Sequence, residues 1–290
     1  MNAVRSPPGP VAPRVPQTFR FAFVVWGSRG PFGVYPPDFL GPFRSPLPPR
    51  SSFLPATLYR LGLNRRPQTR NTRPVTDCRW PTSDALLSEG RAQFNHHAAA
   101  ADATRARFGP TVFVRAVVEV SNFCRENCHY CGMRRDNRSL TRFRAQFESL
   151  SELLLHQLPE WITDINFQAG EDPVATRELV LPLVRLLRQE TDLGISVCLG
   201  TLSQTLTREL HDAGASLYII KFETADSEQY RRLEAPGTLV EREEHIRWLA
   251  SERWKVSSGF IAGLPGDTVA SALQNLRFAS SLPLAGCSVS

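Results

Sequence analysis

The stretch VFVRAVVEVSNFCRENCHYC, residues 112–131, joins a strand pattern to a cysteine-rich loop. Its first part, Val112 to Val120, is rich in β-branched residues and predicts a β-strand. Its second part holds Cys124, Cys128 and Cys131 in the spacing C-x3-C-x2-C, with Tyr130 just before the last cysteine. Three thiolates on one loop can each hold one iron of a cubane and leave the fourth iron without a protein ligand. That open position is what a chelating cofactor needs; a cluster serving only electron transfer would normally have four cysteines. Zinc is the alternative, but it wants a fourth ligand. His129 is adjacent to Cys128 and poorly placed for the same tetrahedron, and no second cysteine pair stands at zinc-ribbon spacing.

Downstream of this loop, helical and strand patterns alternate. Residues 146–157 predict a helix with Leu150, Leu153 and Leu154 on one face, and Asp164 to Gln168 a strand. Residues 176–190 predict a helix that Pro182 must start or kink. Ile195 to Leu199 predicts a strand, and residues 204–213 a helix with Leu206, Leu210 and Ala213 on one side, stopped by Gly214. Leu217 to Ile220 and Val256 to Ile261 predict strands. The helix between them opens on a Thr238/Glu241 capping box. A helix over 268–280 leads to a strand from Gly286 to Ser290. Upstream, residues 83–108 predict one helix with Ala85, Leu86 and Ala92 on one side, ended by Gly109-Pro110. Such alternation implies parallel strands with helices outside. The expected fold class is therefore α/β, an open or closed (β/α) barrel of the TIM type with about six βα units. In such barrels the chemistry sits at the C-terminal ends of the strands, where the cysteine loop falls.

Composition narrows the function further. The 290 residues carry a net charge of +6, but residues 1–75 hold eleven arginines against Asp38 alone. That leader carries about +10 and the remainder about −4. The leader is rich in proline, with pairs at Pro7-Pro8, Pro36-Pro37 and Pro48-Pro49, and reads as disordered. Two domains follow: a Pro/Arg-rich leader over 1–75 and a barrel domain over 76–290. Nothing in the remainder forms the basic, aromatic-interleaved stripe expected of a nucleic-acid binder. No apolar run is long enough to cross a membrane, and Phe19 to Trp26 is too short and lacks a cleavage site. The other cysteines, Cys78, Cys198 and Cys287, are scattered, unlike a secreted disulfide framework. The expected location is the cytoplasm.

These residues resemble the radical S-adenosylmethionine (SAM) superfamily. Within it, residues 112–144 are similar to the branch holding biotin synthase, methylornithine synthase and the maturase of iron-only hydrogenase, the last most of all. The resemblance covers about 83–290 and implies a 4Fe–4S cluster on Cys124, Cys128 and Cys131, with SAM chelating its open iron. It implies that Tyr130 packs near the SAM adenine. It also implies that Gly170-Glu171, in the run QAGEDP from Gln168 to Pro173, receives the SAM amino group. Thr201 would contact SAM, Lys221 would pair with its carboxylate, and Glu223 shares that strand end. Ile261, in FIAGLPG from Phe260 to Gly266, would line the adenine site. Apart from the family, Gly170 would let the backbone approach a ligand closely, and Glu171 could accept from an ammonium.

The resemblance implies reductive cleavage of SAM to a 5′-deoxyadenosyl radical that attacks a small molecule inside the barrel. A flavodoxin- or ferredoxin-type reductant would supply the electron. The sequence departs from the maturase pattern at Gly200-Thr201-Leu202, where Gly-Glu-Trp is expected, and at Lys221-Phe222, where Arg-His is expected. It also stops about two βα units before such relatives do. A biotin synthase-like or methylornithine synthase-like paralogue, a metal-binding structural module, and an inactive remnant therefore stay open at this level.

Overall fold

The computed structural model describes the strand at 22–25 and residues 82–110 and 113–290. Its centre is one sheet whose strands lie side by side in chain order. These are β1 Ala22–Val25, β2 Val114–Ser121, β3 Asp164–Ala169, β4 Gly194–Cys198, β5 Leu217–Ile219, β6 Lys255–Phe260 and β7 Gly286–Val289. From β2 to β7 every neighbouring pair is parallel; β1 pairs antiparallel with β2. Sequential order with each crossover stepping one strand in the same direction is the winding of a (β/α) barrel, not of a doubly wound sheet. Among the described residues β1 and β7 are the edges, so the sheet is an open arc. β1 lies inside the Pro/Arg-rich leader; the rest of the leader lies outside the described residues.

Helices pack on the outside. They are α1 Ser83–Leu86, α2 Gly90–Phe108, α3 Phe147–His156, α4 Pro173–Ala175, α5 Leu181–Glu190, α6 Gln204–Asp212, α7 Ser227–Arg232, α8 Leu239–Ser251 and α9 Val269–Ser281. Each main helix buries an i, i+4 stripe: Leu150 and Leu154 on α3, Leu183 and Leu187 on α5, Leu206 and Leu210 on α6. The stripes meet strand residues such as Val118, Ile165, Phe167 and Val197, all buried, in one continuous core. The capping box at Thr238 is present, and Thr268 with Ser271 forms a second at α9.

Three local expectations need correction. The helix over 83–108 breaks at 87–89, because Gly90 adopts φ +58°, and neither α1 nor α2 buries a residue. Alanines and polar residues run all round α2, so it has no stripe wide enough to dock. The helix with Pro182 starts earlier than expected: α4 runs through a π turn at Thr176–Val180 into α5. Pro182 has no N–H to give residue 178, and its ring crowds that carbonyl; the wider π turn absorbs both. α7 has no counterpart in the sequence reading, although Asp226 caps it by accepting from the Gln229 amide at 2.8 Å.

Candidate functional site

The C-terminal ends of β2, β3, β4 and β5 bring most of the expected residues together. Cys124, Cys128 and Cys131 occupy the irregular loop that leaves β2. This loop is fastened to the end of β3. The Glu171 amide donates to Cys124 Sγ at 3.2 Å, and the Arg125 amide donates to the Glu171 carbonyl at 3.2 Å. Gly170 permits that approach: a Cβ there would overlap the Phe123 carbonyl oxygen and sit 2.7 Å from Cys124 Cβ. The close approach that Gly170 allows in this structure is that of the cysteine loop. Gly170→Ala is expected to cost about 1–3 kcal/mol, since backbone must move to relieve the overlap. Reconstituted iron and sulfide per chain should fall with it. Wild-type loading and an unchanged unfolding midpoint would refute this.

Glu171 is buried and already engaged. One carboxylate oxygen accepts from Arg125 Nε at 2.9 Å and Nη2 at 2.5 Å; the other accepts from the Thr201 amide at 2.9 Å. Arg125 Nη2 also donates to the Thr201 carbonyl at 2.9 Å. The carboxylate thus ties the cysteine loop to the ends of β3 and β4. Burial outweighs these donors and holds its pKa above the usual carboxylate range. Any amino group it receives shares it with Arg125.

Cys128 is the most enclosed of the three cysteines, 7% exposed, and burial pushes its thiol up to about 11 despite the Tyr130 hydroxyl. Tyr130 is half-buried with its hydroxyl between Cys128 and the Glu223 carboxylate, and burial raises its own pKa. Glu223 has φ +63°, a conformation L-residues rarely adopt, and such strain clusters where function fixes a side chain. Its amide and that of Phe222 both donate to the Gly259 carbonyl, and its own carbonyl accepts from the Ile261 amide at 2.9 Å. Lys221 turns the other way, its ammonium donating to Ser290 Oγ beyond β7. Gly263-Leu264-Pro265-Gly266 is a turn closed by Asp267, whose carboxylate accepts from the Gly263 and Leu264 amides at 2.9 Å each.

Four arginines and an aspartate were missed by the sequence reading: Arg125, described above, with Arg142, Arg144, Arg242 and Asp172. Arg242 on α8 is 5% exposed and reaches the same strand ends, donating to Thr201 Oγ1 and the Tyr230 hydroxyl at 3.2 Å each. Its signal was a charge within the buried stripe of Leu239, Ile246 and Leu249. Arg142 donates to the carbonyls of Asn122 at 2.5 Å, Arg134 at 2.6 Å and Met133 at 2.9 Å. It therefore clasps the two ends of the cysteine loop together. Asp172 accepts from Ser121 Oγ at 2.7 Å, Arg144 Nε at 2.7 Å and the Ala175 amide at 3.2 Å. No local pattern reports such long-range pairs.

The donor chemistry suits a cluster better than a single ion. Among the described residues no three His, Cys, Asp or Glu side chains converge closely enough to hold one metal ion. A cubane takes each thiolate on a different iron, so three thiols that share a loop without sharing a centre fit it. Two surface clefts of about 380 and 310 Å³ lie on the outer helices, one along α5 and α6 and one by Trp254, and no site residue lines either. Among the described residues the other two cysteines stand apart from this loop, Cys198 ending β4 and Cys287 exposed on β7, while Cys78 lies outside the described residues.

The fold is a barrel-type α/β arc that carries a three-cysteine loop at its strand ends. The chain belongs to the Radical SAM superfamily, whose family model matches residues 118–279, from within β2 to within α9. It is 30% identical over 179 residues to the FeFe hydrogenase maturase subunit HydE of Thermotoga maritima, covering 61% of this chain and 51% of that one. It is 24% identical over 172 residues to the 3-methylornithine synthase of Methanosarcina acetivorans, covering 59% and 49%. The chain thus spans about half the length of the curated relatives it matches. Its fold is that of the methylornithine synthase PylB, with a TM-score of 0.67 at 21% identity over 73% of this chain and 65% of that one. The maturase HydG is a more distant likeness, with a TM-score of 0.54 at 20% identity over 71% and 49%. Among the described residues no helix is long and apolar enough to cross a membrane.

Proposed function

We propose that this chain binds a 4Fe–4S cluster through Cys124, Cys128 and Cys131 and SAM beside it, and acts on a small molecule within the barrel arc. The observation that carries the reading is the fastening of the three-cysteine loop to Gly170-Glu171 and Thr201 at neighbouring strand ends. When bound, such a cluster supplies the single electron that cleaves SAM to the radical that activates the substrate. The chain's residues hold and orient. Arg125 and Arg142 set the loop, and Glu171 locks it to β3 and β4. Arg242 offers a buried guanidinium for a carboxylate, a role the resemblance would give to Lys221. Tyr130 and Glu223 close the side toward α7, and Ile261 extends the wall at β6.

The hydrogenase maturase is the nearest model for the reaction, supported by the higher identity to HydE. A methylornithine synthase-like reaction is the second reading, favoured by Thr201, Lys221 and Phe222, which depart from the maturase pattern. Anaerobic reconstitution with iron and sulfide, then reduction with SAM present, is expected to yield 5′-deoxyadenosine. A chain that takes up zinc and no sulfide would refute the proposal.

A further inference from the structure

We infer that Gln229 on α7 is a positioning residue. Through Asp267 it holds the turn after β6 at a set distance from the cysteine loop, and so places the wall against which SAM would lie. The inference rests on the reading above that SAM binds beside the cluster, with Ile261 extending its wall at β6. Gln229 is buried, and both ends of its amide are engaged. Its Oε1 accepts from Thr224 Oγ1 at 2.6 Å, and its Nε2 donates to Asp267 Oδ1 at 3.0 Å, with the Pro265 carbonyl at 3.5 Å. The other carboxylate oxygen of Asp267 is the one that accepts from the Gly263 and Leu264 amides. Thr224 is itself buried and follows Glu223, whose carbonyl accepts from the Ile261 amide. A continuous path of hydrogen bonds thus runs from the end of β5 through Gln229 to the turn after β6.

The turn needs such an anchor. Gly263 and Gly266 have φ +86° and +90°, and a Cβ on either would stand in open space. Leu264 is its buried residue, and the Asp267 carboxylate sets the direction of its amides. Leu233 and Glu234, just past α7, meet the cysteine loop. The Leu233 carbonyl accepts from the His129 amide at 2.9 Å. The Glu234 carboxylate accepts from Asn127 Nδ2 at 3.0 Å and lies 3.3 Å from His129 Nε2. Gln229 and Leu233 stand one turn apart on the same face, and the Leu233 amide donates to the Gln229 carbonyl at 3.0 Å. A single helical turn, about 6 Å long, therefore separates the two attachments. Between them the Tyr230 hydroxyl accepts from Arg242 Nε, and Arg242 also donates to Thr201 Oγ1. Packing alone asks nothing polar of position 229, since an apolar side chain of similar length would fill the space without burying an amide. A fully satisfied buried amide instead fixes one orientation of the groups it joins.

The test measures SAM binding to the full chain, anaerobically reconstituted with iron and sulfide, by equilibrium dialysis, beside iron and sulfide per chain. On the apo chain it measures hydrogen exchange across residues 263–267 and urea unfolding. Gln229→Met keeps the length and the packing but loses both hydrogen bonds. It should raise the SAM Kd about tenfold and speed exchange at Gly263 and Leu264, with iron, sulfide and the unfolding midpoint close to wild type. Gln229→Glu sets a second carboxylate against Asp267 and should weaken SAM binding at least as much. In Gln229→Glu/Asp267→Asn donor and acceptor change places: the new amide donates to the new carboxylate, and its oxygen keeps the two turn amides. SAM affinity should then return to within about threefold of wild type. Wild-type SAM affinity in Gln229→Met overturns the inference. So does affinity lost only in step with iron, sulfide and the unfolding midpoint, the mark of a purely structural glutamine. A double variant no better than Gln229→Glu overturns it as well. A wild-type chain that binds no SAM overturns this inference together with the reading it rests on, whereas the other failures leave that reading standing.

Discussion

Cys128→Ala is expected to abolish cluster loading: iron and sulfide near background, no visible iron–sulfur absorption and no SAM cleavage. Cys128 is the central cysteine of the loop and the most buried of its three, and burial pushes its thiol up to about 11. Removing it leaves Cys124 and Cys131 to hold two irons of a cubane that needs three anchors. The cost to the fold should be small by comparison. Exchanging one buried thiol for a methyl group loses about 1 kcal/mol of packing, and the Tyr130 hydroxyl keeps the Glu223 carboxylate as a partner. Loading and stability are therefore expected to separate, and that separation distinguishes a ligand from a core residue. Anaerobic reconstitution followed by iron and sulfide analysis, beside urea unfolding of the apo chain, measures both. A variant that loads like wild type would remove Cys128 from the ligand set.

The second large effect is one of stability. Asp172→Ala should destabilise the apo chain by about 3 kcal/mol, since it strips a buried carboxylate from Arg144, Ser121 and the start of α4. The Asp172 side chain is 3% exposed, whereas Arg144 is 41% exposed and stacks on Phe123 at 4.2 Å, so solvent softens the loss of its partner. Burial alone would raise the Asp172 pKa, but the donors from Arg144, Ser121 and Ala175 outweigh it and hold it below the usual range. A depressed folded pKa adds stability above the unfolded value, about pH 4, that is lost as pH falls through the folded value. The gap between wild type and Asp172→Ala should thus be full at neutral pH and shrink in acid. Urea midpoints measured between pH 7 and about pH 3 check it. A gap below about 1 kcal/mol, or one that does not shrink, would show that the carboxylate is not bound as described.

Both predictions concern one construction. Ser121 and Asp172 bind the exits of β2 and β3 to each other, Gly170 lets the cysteine loop press onto β3, and Glu171 carries the linkage on to Thr201. The loop thereby gains a fixed frame although it has no regular secondary structure of its own. Arg142 completes it from the far side through the carbonyls on either flank of the cysteines.

The sequence by itself determined the elements that depend on local chemistry. The β-branched run before Cys124, the i, i+4 leucines of α3 and α6, and the Thr238/Glu241 box each encode their geometry within a few residues. So does the grouping of the three cysteines on one loop, because C-x3-C-x2-C is a short-range arrangement. Local pattern failed where backbone geometry decided. The break before α2 depends on the positive φ that Gly90 adopts, and the π turn before α5 on how Pro182 is accommodated. Only the tertiary structure decided the site's internal wiring. Glu171 faces Arg125 and Thr201 because parallel strands in register set the ends of β2, β3 and β4 side by side. Arg242 enters the same space from a helix more than a hundred residues after Cys131, and the Lys221 ammonium meets Ser290 beyond β7. Side-chain partners so far apart in the chain are chosen by packing of the whole sheet, a quantity that no window of sequence contains.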